Sequence, residues 1–301
     1  LDLIDKGILH ELNKNCRMTF QDLSRKFGIS ANAIRRRVLK LEKTGAIGGY
    51  LIRLSLDMAE CDLLFGLIWT DGSKDEIEFV DSIGESQFIL AAASYSNGSY
   101  ALLAEYSSPS ELLEVGAYLR SLPGIEHLEI HPLLITKGAK IEFSGLHLRI
   151  LNCLIDNPRM PIIDIAQKTG LTARRVRKLV HEMVNSSAIR FTIGYELGQD
   201  EVPFILRISW DESIFKHDKI GSWLEDKFGP LLWEFYVSAL EPVVFGLFSV
   251  ENVYDIDSIA REIRREDFVK TVKTLIGKHH KYFGGLSYDK LYEILQDAGY
   301  R

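Results

Sequence analysis

At 301 residues the chain exceeds the roughly 250–300 at which a single hydrophobic core stops growing, so more than one core is expected. With 46% hydrophobic and 26% charged residues and only eight prolines, the composition excludes a low-complexity chain, and no apolar run approaches the roughly 18 residues a membrane span requires. The formal charge of −6 excludes a uniformly basic surface but leaves room for local ones.

Those local surfaces exist. Residues 1–56 carry 11 Lys and Arg against 5 Asp and Glu, and residues 146–197 carry 8 against 4. The intervening 57–145 carry 4 against 15, and 198–301 carry 13 against 18. Two basic islands in an acidic body are the footprint of a protein that offers selected segments to a polyanion. The opening "LDLIDKGILHELNKN" is amphipathic and carries acids, unlike a signal peptide, so a cytoplasmic location is expected. Cys16, Cys61 and Cys153 lie far apart and outside any C-x-x-C pair, which points to free structural thiols and against a disulfide framework or zinc site.

In chain order, Ile4, Ile8 and Leu12 are spaced as one face of a first helix. "TFQDLSRKFG" predicts a second, with Thr19 as N-cap, Asp22 in a capping-box position and Gly28 as C-cap. Ser30 then caps a third helix over 31–43, stopped by Gly45, and "AIGGYLIRLS" predicts a strand pair turning at Gly48-Gly49. Three helices with a tight turn before the third, followed by a hairpin, define a winged helix-turn-helix domain over residues 1–56.

Charged helices are usually solvated surface, so the third helix needs a closer reading. At about 100° per residue, Ile34, Val38 and Leu41 share one side, and the opposite side centres on Arg36 with Asn32, Ala33, Lys40 and Lys43. Arg36 is placed for a DNA groove, while Arg35 and Arg37 flank it in positions suited to phosphates. Ser30, Asn32, Ala33, Arg35, Arg36, Arg37 and Lys40 are therefore the candidate DNA contacts of this domain.

Residues 57–140 alternate as β-α-β-β-α-β, with strands at 62–70, 87–95, 99–107 and 126–136 and helices at 73–84 and 109–121. This predicts a ferredoxin-like sandwich whose uncovered sheet face must pair with another such sheet, from the same chain or a second one. The pattern then restarts. Residues 141–197 align with the first island at an offset of 142: Ile150, Leu151 and Leu154 answer Ile8, Leu9 and Leu12, and Gly170 and Arg177 answer Gly28 and Arg35. In this second winged helix-turn-helix domain Thr172, Arg174, Arg175, Arg177 and Lys178 are the candidate DNA contacts. Arg37 is matched by Leu179 and Lys40 by Glu182, so the second reader either prefers other bases or binds more weakly. Residues 198–301 form a second ferredoxin-like domain, with strands near 203–210, 231–239, 242–250 and 268–276, helices at 217–228 and 254–265, and a C-terminal amphipathic helix that docks on the sheet or meets a partner. The fold class is α+β, a tandem duplication of one two-domain unit.

The stretch "LDLIDKGILHELNKNCRMTFQDLSRKFGISANAIRRRVLKLEKTGAIGGY" resembles the N-terminal domain of the leucine-responsive/asparagine regulator (Lrp/AsnC) family of bacteria and archaea. The resemblance covers most of the chain, through residues 1–50, then 146–191, and elsewhere through strand order. It implies a sequence-specific transcription regulator whose ferredoxin-like domains dimerise and bind an amino acid or related metabolite. Its expected partner is double-stranded DNA, with no membrane, cofactor, metal or catalytic role. Family chains carry one copy; here two copies in one chain would imitate a dimer. The family's Gly-x-x-Asp step between the second and third strands is kept only as Gly98 in "NGSYALL", with Ala101 where the acid is expected, and "LEPVVF" of the second copy lacks both. Gly98 and Tyr100 are the remaining candidate effector contacts, and a different ligand or none is equally open.

Two rival readings stand beside this one. Siroheme decarboxylases resemble the same two-domain layout and use it for tetrapyrrole chemistry; alternatively, the helix-turn-helix domains serve protein contacts alone. His127 and His131 share a face of one strand, and His279-His280 end another, but without further ligands at suitable spacing they are expected to be exposed strand-end residues. The four tryptophans, Trp69, Trp210, Trp223 and Trp233, are expected in the core.

Overall fold

The structure is a computed structural model that describes residues 1–196 and 201–300. In the first repeat, α1 (Leu3–Lys14) presents Ile8, Leu9 and Leu12 fully buried. Next, α2 (Phe20–Phe27) starts at a Thr19–Asp22 capping box and ends at Gly28, whose φ of 68° is left-handed and suits glycine. The third helix α3 (Ala31–Lys43) is capped by Ser30, whose Oγ accepts the Ala33 N–H at 3.2 Å. Strand β1 (Ile47–Leu54) and the single turn α4 (Leu56–Ala59) lead to β2 (Asp62–Thr70), α5 (Glu76–Ile83), β3 (Ile89–Tyr95), β4 (Ser99–Tyr106), α6 (Pro109–Ser121) and β5 (Ile125–Leu134). Helix α5 starts three residues later than expected because Asp75 caps it, its Oδ1 accepting the N–H groups of Ile77 and Glu78.

The second repeat runs α7 (Gly145–Asp156), α8 (Ile162–Thr169), α9 (Ala173–Asn185) and β6 (Ile189–Tyr195). It continues through β7 (Val202–Trp210), α10 (Ile220–Phe228), β8 (Leu232–Ser238), β9 (Val243–Val250), α11 (Val253–Arg264), β10 (Val269–Tyr282) and α12 (Gly285–Asp297). The boundary expected between residues 197 and 198 lies outside the described residues.

These elements gather into two compact units. One holds residues 1–60 with 137–199 and 287–301, bringing both helix-turn-helix segments together. Residues next to the expected domain edges join it too: Asp57 N–H reaches Lys137 O at 3.1 Å and Ser55 Oγ reaches Ala139 O at 2.8 Å. The C-terminal helix, expected on a sheet or a partner, lies from Ser287 onward in this unit, with Leu291 and Leu295 buried and Tyr300 Oη 3.3 Å from Gly145 O.

Within this unit the expected hairpin is not formed. Gly48 and Gly49 lie inside β1 at a register shift, and β1 pairs antiparallel with β6 of the other repeat. Its edge is satisfied by a sister strand in place of a return strand of its own. The register is informative: Tyr50 faces Ile193 and Leu51 faces Thr192. Adding the repeat offset of 142 to either pair yields the other, so the contact has the reciprocity of an isologous dimer interface.

The other unit holds residues 61–136 and 200–286. Each repeat contributes a four-stranded antiparallel sheet, β3-β4-β2-β5 and β8-β9-β7-β10, the strand order of a ferredoxin-like sandwich. Helices cover one face of each, over cores that include Leu64, Ile68 and Phe79 in the first and Phe204, Ile208 and Trp210 in the second. The other faces meet within the chain, where Phe65 stacks on Phe245 at 4.2 Å and on Tyr236 at 5.6 Å. The sheets close edge to edge into one barrel, β5 on β8 and β10 on β3. This second seam explains why β10 runs past the expected residue 276: Val269–Ile276 pair with β7, and Gly277–Tyr282 continue onto β3.

Candidate nucleic-acid interface

The sequence-predicted face of α3 is where amphipathicity puts it. Ile34, Val38 and Leu41 are buried, and Asn32, Arg35, Arg36, Lys40 and Lys43 are exposed, with Ala33 half-buried among them. In α9 the buried side is Val176, Leu179, Val180 and Met183, and Arg174, Arg175, Arg177 and Lys178 are exposed. Ser30 and Thr172 are exposed N-caps whose hydroxyl oxygens accept the Ala33 and Arg175 N–H groups, at 3.2 and 3.3 Å; each keeps its own O–H to donate.

Arg37 departs from the expected role. Its Nη1 lies 2.7 Å from both Asp2 Oδ2 and Asp5 Oδ1, tying α3 back to the start of α1. Asp5 is buried, so its charge needs that cation, and hydrogen bonds to Asp5 and then Asp2 push the guanidinium pKa up. Burial works against ionisation of Asp2, but the Asp5 N–H and Arg37 hold its carboxyl below the usual range. A helix-side arginine read from spacing as a phosphate contact is thus a structural tie. Its counterpart Leu179 solves the same packing problem with an apolar side chain.

Glu182, the counterpart of Lys40, lies 3.6 Å from Lys178 and 3.3 Å from His147 Nε2. Beside its acid, Lys178 offers less positive potential to a phosphate than Arg36 does. The two basic faces therefore share a scaffold and differ in charge pattern.

Contacts that spacing did not reveal fasten the two helix-turn-helix segments together. Arg17 donates through Nη1 to Pro158 O and through Nη2 to Met160 O at 3.0 Å. Its repeat counterpart Arg159 donates to Tyr50 Oη at 2.9 Å and lies 5.2 and 5.0 Å from the ring centroids of Phe20 and Tyr50. Burial, then a bond to Glu42, pushes the Tyr50 phenol up to about 12, so it stays a neutral donor to Glu42 Oε1 at 2.5 Å. The only signal available was that Arg17 and Arg159 occupy the same repeat position. Burial likewise raises the Cys16 thiol to about 12, as expected of a structural cysteine.

In the barrel unit the effector candidates separate. Gly98 makes the β3–β4 turn with φ 76°, whereas Tyr100 is a core residue packed on Phe79 at 4.5 Å, on the helix-covered side of the sheet. The histidine expectation also changes. His127 is exposed, but His131 is buried, with Nδ1 3.1 Å from Ser238 Oγ and Nε2 3.3 Å from Glu129. Arg207 reaches the same Glu129 carboxylate at 3.3 Å, across the barrel from β7 to β5. Burial opposes ionisation of Glu129, and Arg207, followed by His131, lowers its pKa. Among the described residues no group of three His, Cys, Asp or Glu is arranged to hold a metal ion, and no helix is long and apolar enough to cross a membrane.

Comparison with known proteins places this geometry. Residues 1–42 match the AsnC-type helix-turn-helix domain, and residues 143–190 match a winged helix-turn-helix DNA-binding domain. Relatives include an uncharacterized HTH-type transcriptional regulator of Pyrococcus horikoshii, 50% identical over 50 residues, covering 17% of this chain and 32% of that protein. The leucine-responsive regulatory protein of Escherichia coli is 39% identical over 64 residues, covering 21% of this chain and 39% of that one. The chain thus spans between a third and two fifths of these curated relatives. Among solved structures, the siroheme decarboxylase NirDL aligns over 100% of both chains at 13% identity and a TM-score of 0.54, a likeness of fold alone. The resemblance to Lrp/AsnC regulators, in tandem-duplicated form, is borne out by both helix-turn-helix matches, and so is the α+β class.

Proposed function

We propose that the protein is a cytoplasmic, sequence-specific DNA-binding transcription regulator of the Lrp/AsnC type, in which one chain supplies two non-identical readers as a pseudo-dimer. The observation that carries this reading is the pairing of two basic-faced helix-turn-helix segments in one compact unit, through a strand contact with dimer-like reciprocity. Arg36 and Lys178 are assigned to the grooves, with Arg35, Lys40, Arg174, Arg175 and Arg177 on phosphates or base edges beside them. Selection of bound duplexes from a random pool tests this, with sedimentation giving the stoichiometry. One chain per duplex, on two unlike half-sites one helical turn or a multiple apart, is the expected result. Binding only as two or more chains would remove the pseudo-dimer, and absence of salt-sensitive DNA binding would remove the regulator.

A second reading, a siroheme-decarboxylase-like tetrapyrrole enzyme, is favoured by the whole-chain fold likeness and by the Glu129–His131–Arg207 group inside the barrel. It leaves the basic faces of α3 and α9 without a use. An intense visible absorption band on mixing the chain with iron-uroporphyrin, together with failure to bind DNA, would select it.

A further inference from the structure

We infer that Leu39 reads the C5 methyl group of a thymine in the half-site taken by α3, and that its counterpart His181 does not, so that the DNA site has a direction. This rests on the DNA-binding reading above. Leu39 lies about 60° around the helix from Arg36 and about 20° from Asn32. It therefore belongs to the outward face, with Asn32, Arg36, Lys40 and Lys43. It is 51% exposed and stands outside the buried set that Ile34, Val38 and Leu41 form on the other side.

A leucine on such a face is hydrated without return until something apolar meets it. The major groove of a duplex offers one apolar group on a base edge, the thymine methyl, and aliphatic side chains are its natural partners. Phosphates drawn to Arg35, Arg36, Lys40 and Lys43 would bring the groove floor to the same face. Single exposed leucines are common on protein surfaces, so position alone does not distinguish a reader from an idle side chain. What distinguishes this one is its placement beside the amide of Asn32, with Arg35 on one side and Arg36, Lys40 and Lys43 on the other, together with the change of chemistry in the sister helix. There the equivalent residue is His181, exposed, with Nε2 2.8 Å from Asn185 Nδ2. It presents polar ring atoms where α3 presents methyl groups.

The test uses the full chain and the duplex obtained by selection. Each thymine is replaced in turn by deoxyuridine, which lacks only the methyl group, and affinity is measured by fluorescence anisotropy. For the wild-type chain, one thymine in the first half-site should lose roughly fourfold on replacement, the value of one buried methyl group. Leu39→Ala should bind thymine and uracil duplexes equally at that position, and His181→Leu should create a new thymine dependence in the second half-site. If every replacement is neutral for the wild-type chain, or Leu39→Ala keeps the full thymine–uracil difference, the inference fails while DNA binding stands. A chain that binds no duplex overturns both the inference and the reading beneath it. The wild-type arm needs no variant, so a folding defect cannot mask the answer.

Discussion

The helices α3 and α9 hold equivalent places in the two repeats, yet different forces keep them there. In the first repeat an ionic tie from Arg37 to Asp2 and Asp5 anchors the helix, and a Thr19–Asp22 capping box starts the helix before it. In the second, Leu179 is buried where Arg37 stands, Pro161 precedes α8 without a side-chain cap, and His147 replaces Asp5. The comparison teaches that one backbone accepts a charged or an apolar solution at the base of the reader, provided each is complete. A buried carboxylate with its guanidinium removed is incomplete, and so is a buried leucine replaced by an unpaired cation.

The largest expected effect follows from that completeness. Arg37→Leu copies the second repeat at one position only and leaves Asp5 buried without its cation. A loss of about 2–4 kcal/mol of stability is expected, below the fully buried limit because Arg37 is partly exposed. Adding Asp5→Asn should recover most of it, since the buried charge is then gone. Circular dichroism in urea measures both, and equal stability of Arg37→Leu and the wild-type chain would mean the tie is idle.

The readers themselves give the next effect. Arg36→Ala should weaken DNA binding by roughly 1–3 kcal/mol and relax preference at one position. Lys178→Ala should cost less, because Glu182 already sits 3.6 Å from that ammonium. Equal losses on the selected duplex would erase the asymmetry between the two helices.

How much of this was legible beforehand depends on the range of the interaction. The caps Thr19, Gly28 and Ser30, and the buried triad Ile34, Val38 and Leu41, are set by neighbours within a few residues, and their spacing located them correctly. The 142-residue offset exposed the duplication, and the pairing of sheet faces followed from two sheets that each needed a cover, whereas their edge-to-edge closure into a barrel was not foreseen. Misreadings arose where a partner comes from far along the chain. Gly48-Gly49 looked like a hairpin turn because β6, where Gly194 faces Gly49 from far along the chain, could not be seen as the pairing strand. Arg37 looked like its neighbours because Asp2 and Asp5 lie on another helix. His131 looked exposed because its cover, Ser238, belongs to the opposite sheet.

Acid offers a finer way to separate the repeats. The Asp2 carboxyl has a folded pKa below its ordinary value of 3.8, so what it contributes is fully present above about that pH and is lost as pH falls through the lower folded value. The second repeat has no carboxylate in that tie. The stability gap between wild-type and an Asp2→Asn/Asp5→Asn/Arg37→Leu chain should therefore hold from neutral pH to about 4 and narrow below it. A gap that is unchanged between pH 5 and pH 2 would show that the Asp2 carboxylate holds nothing in place.

The smallest expected effect concerns Glu182, and its sign matters more than its size. Its carboxylate is exposed on the basic face of α9, held near Lys178 and His147. Near phosphates such a charge opposes binding and neutralises a cation that would otherwise meet the backbone. Glu182→Gln should thus tighten DNA binding roughly two- to fivefold, as for an exposed ion pair. The gain should shrink as salt is added, because screening removes the repulsion. The freed Lys178 should also steepen the slope of log affinity against log salt by about 0.9. Lys40→Gln in the first repeat should move both quantities the other way. If Glu182→Gln instead weakens binding and loses a preference for cytosine at one position, the carboxylate is accepting a hydrogen bond from the base amine. The second reader would then be a different instrument from the first, and not a weaker copy of it.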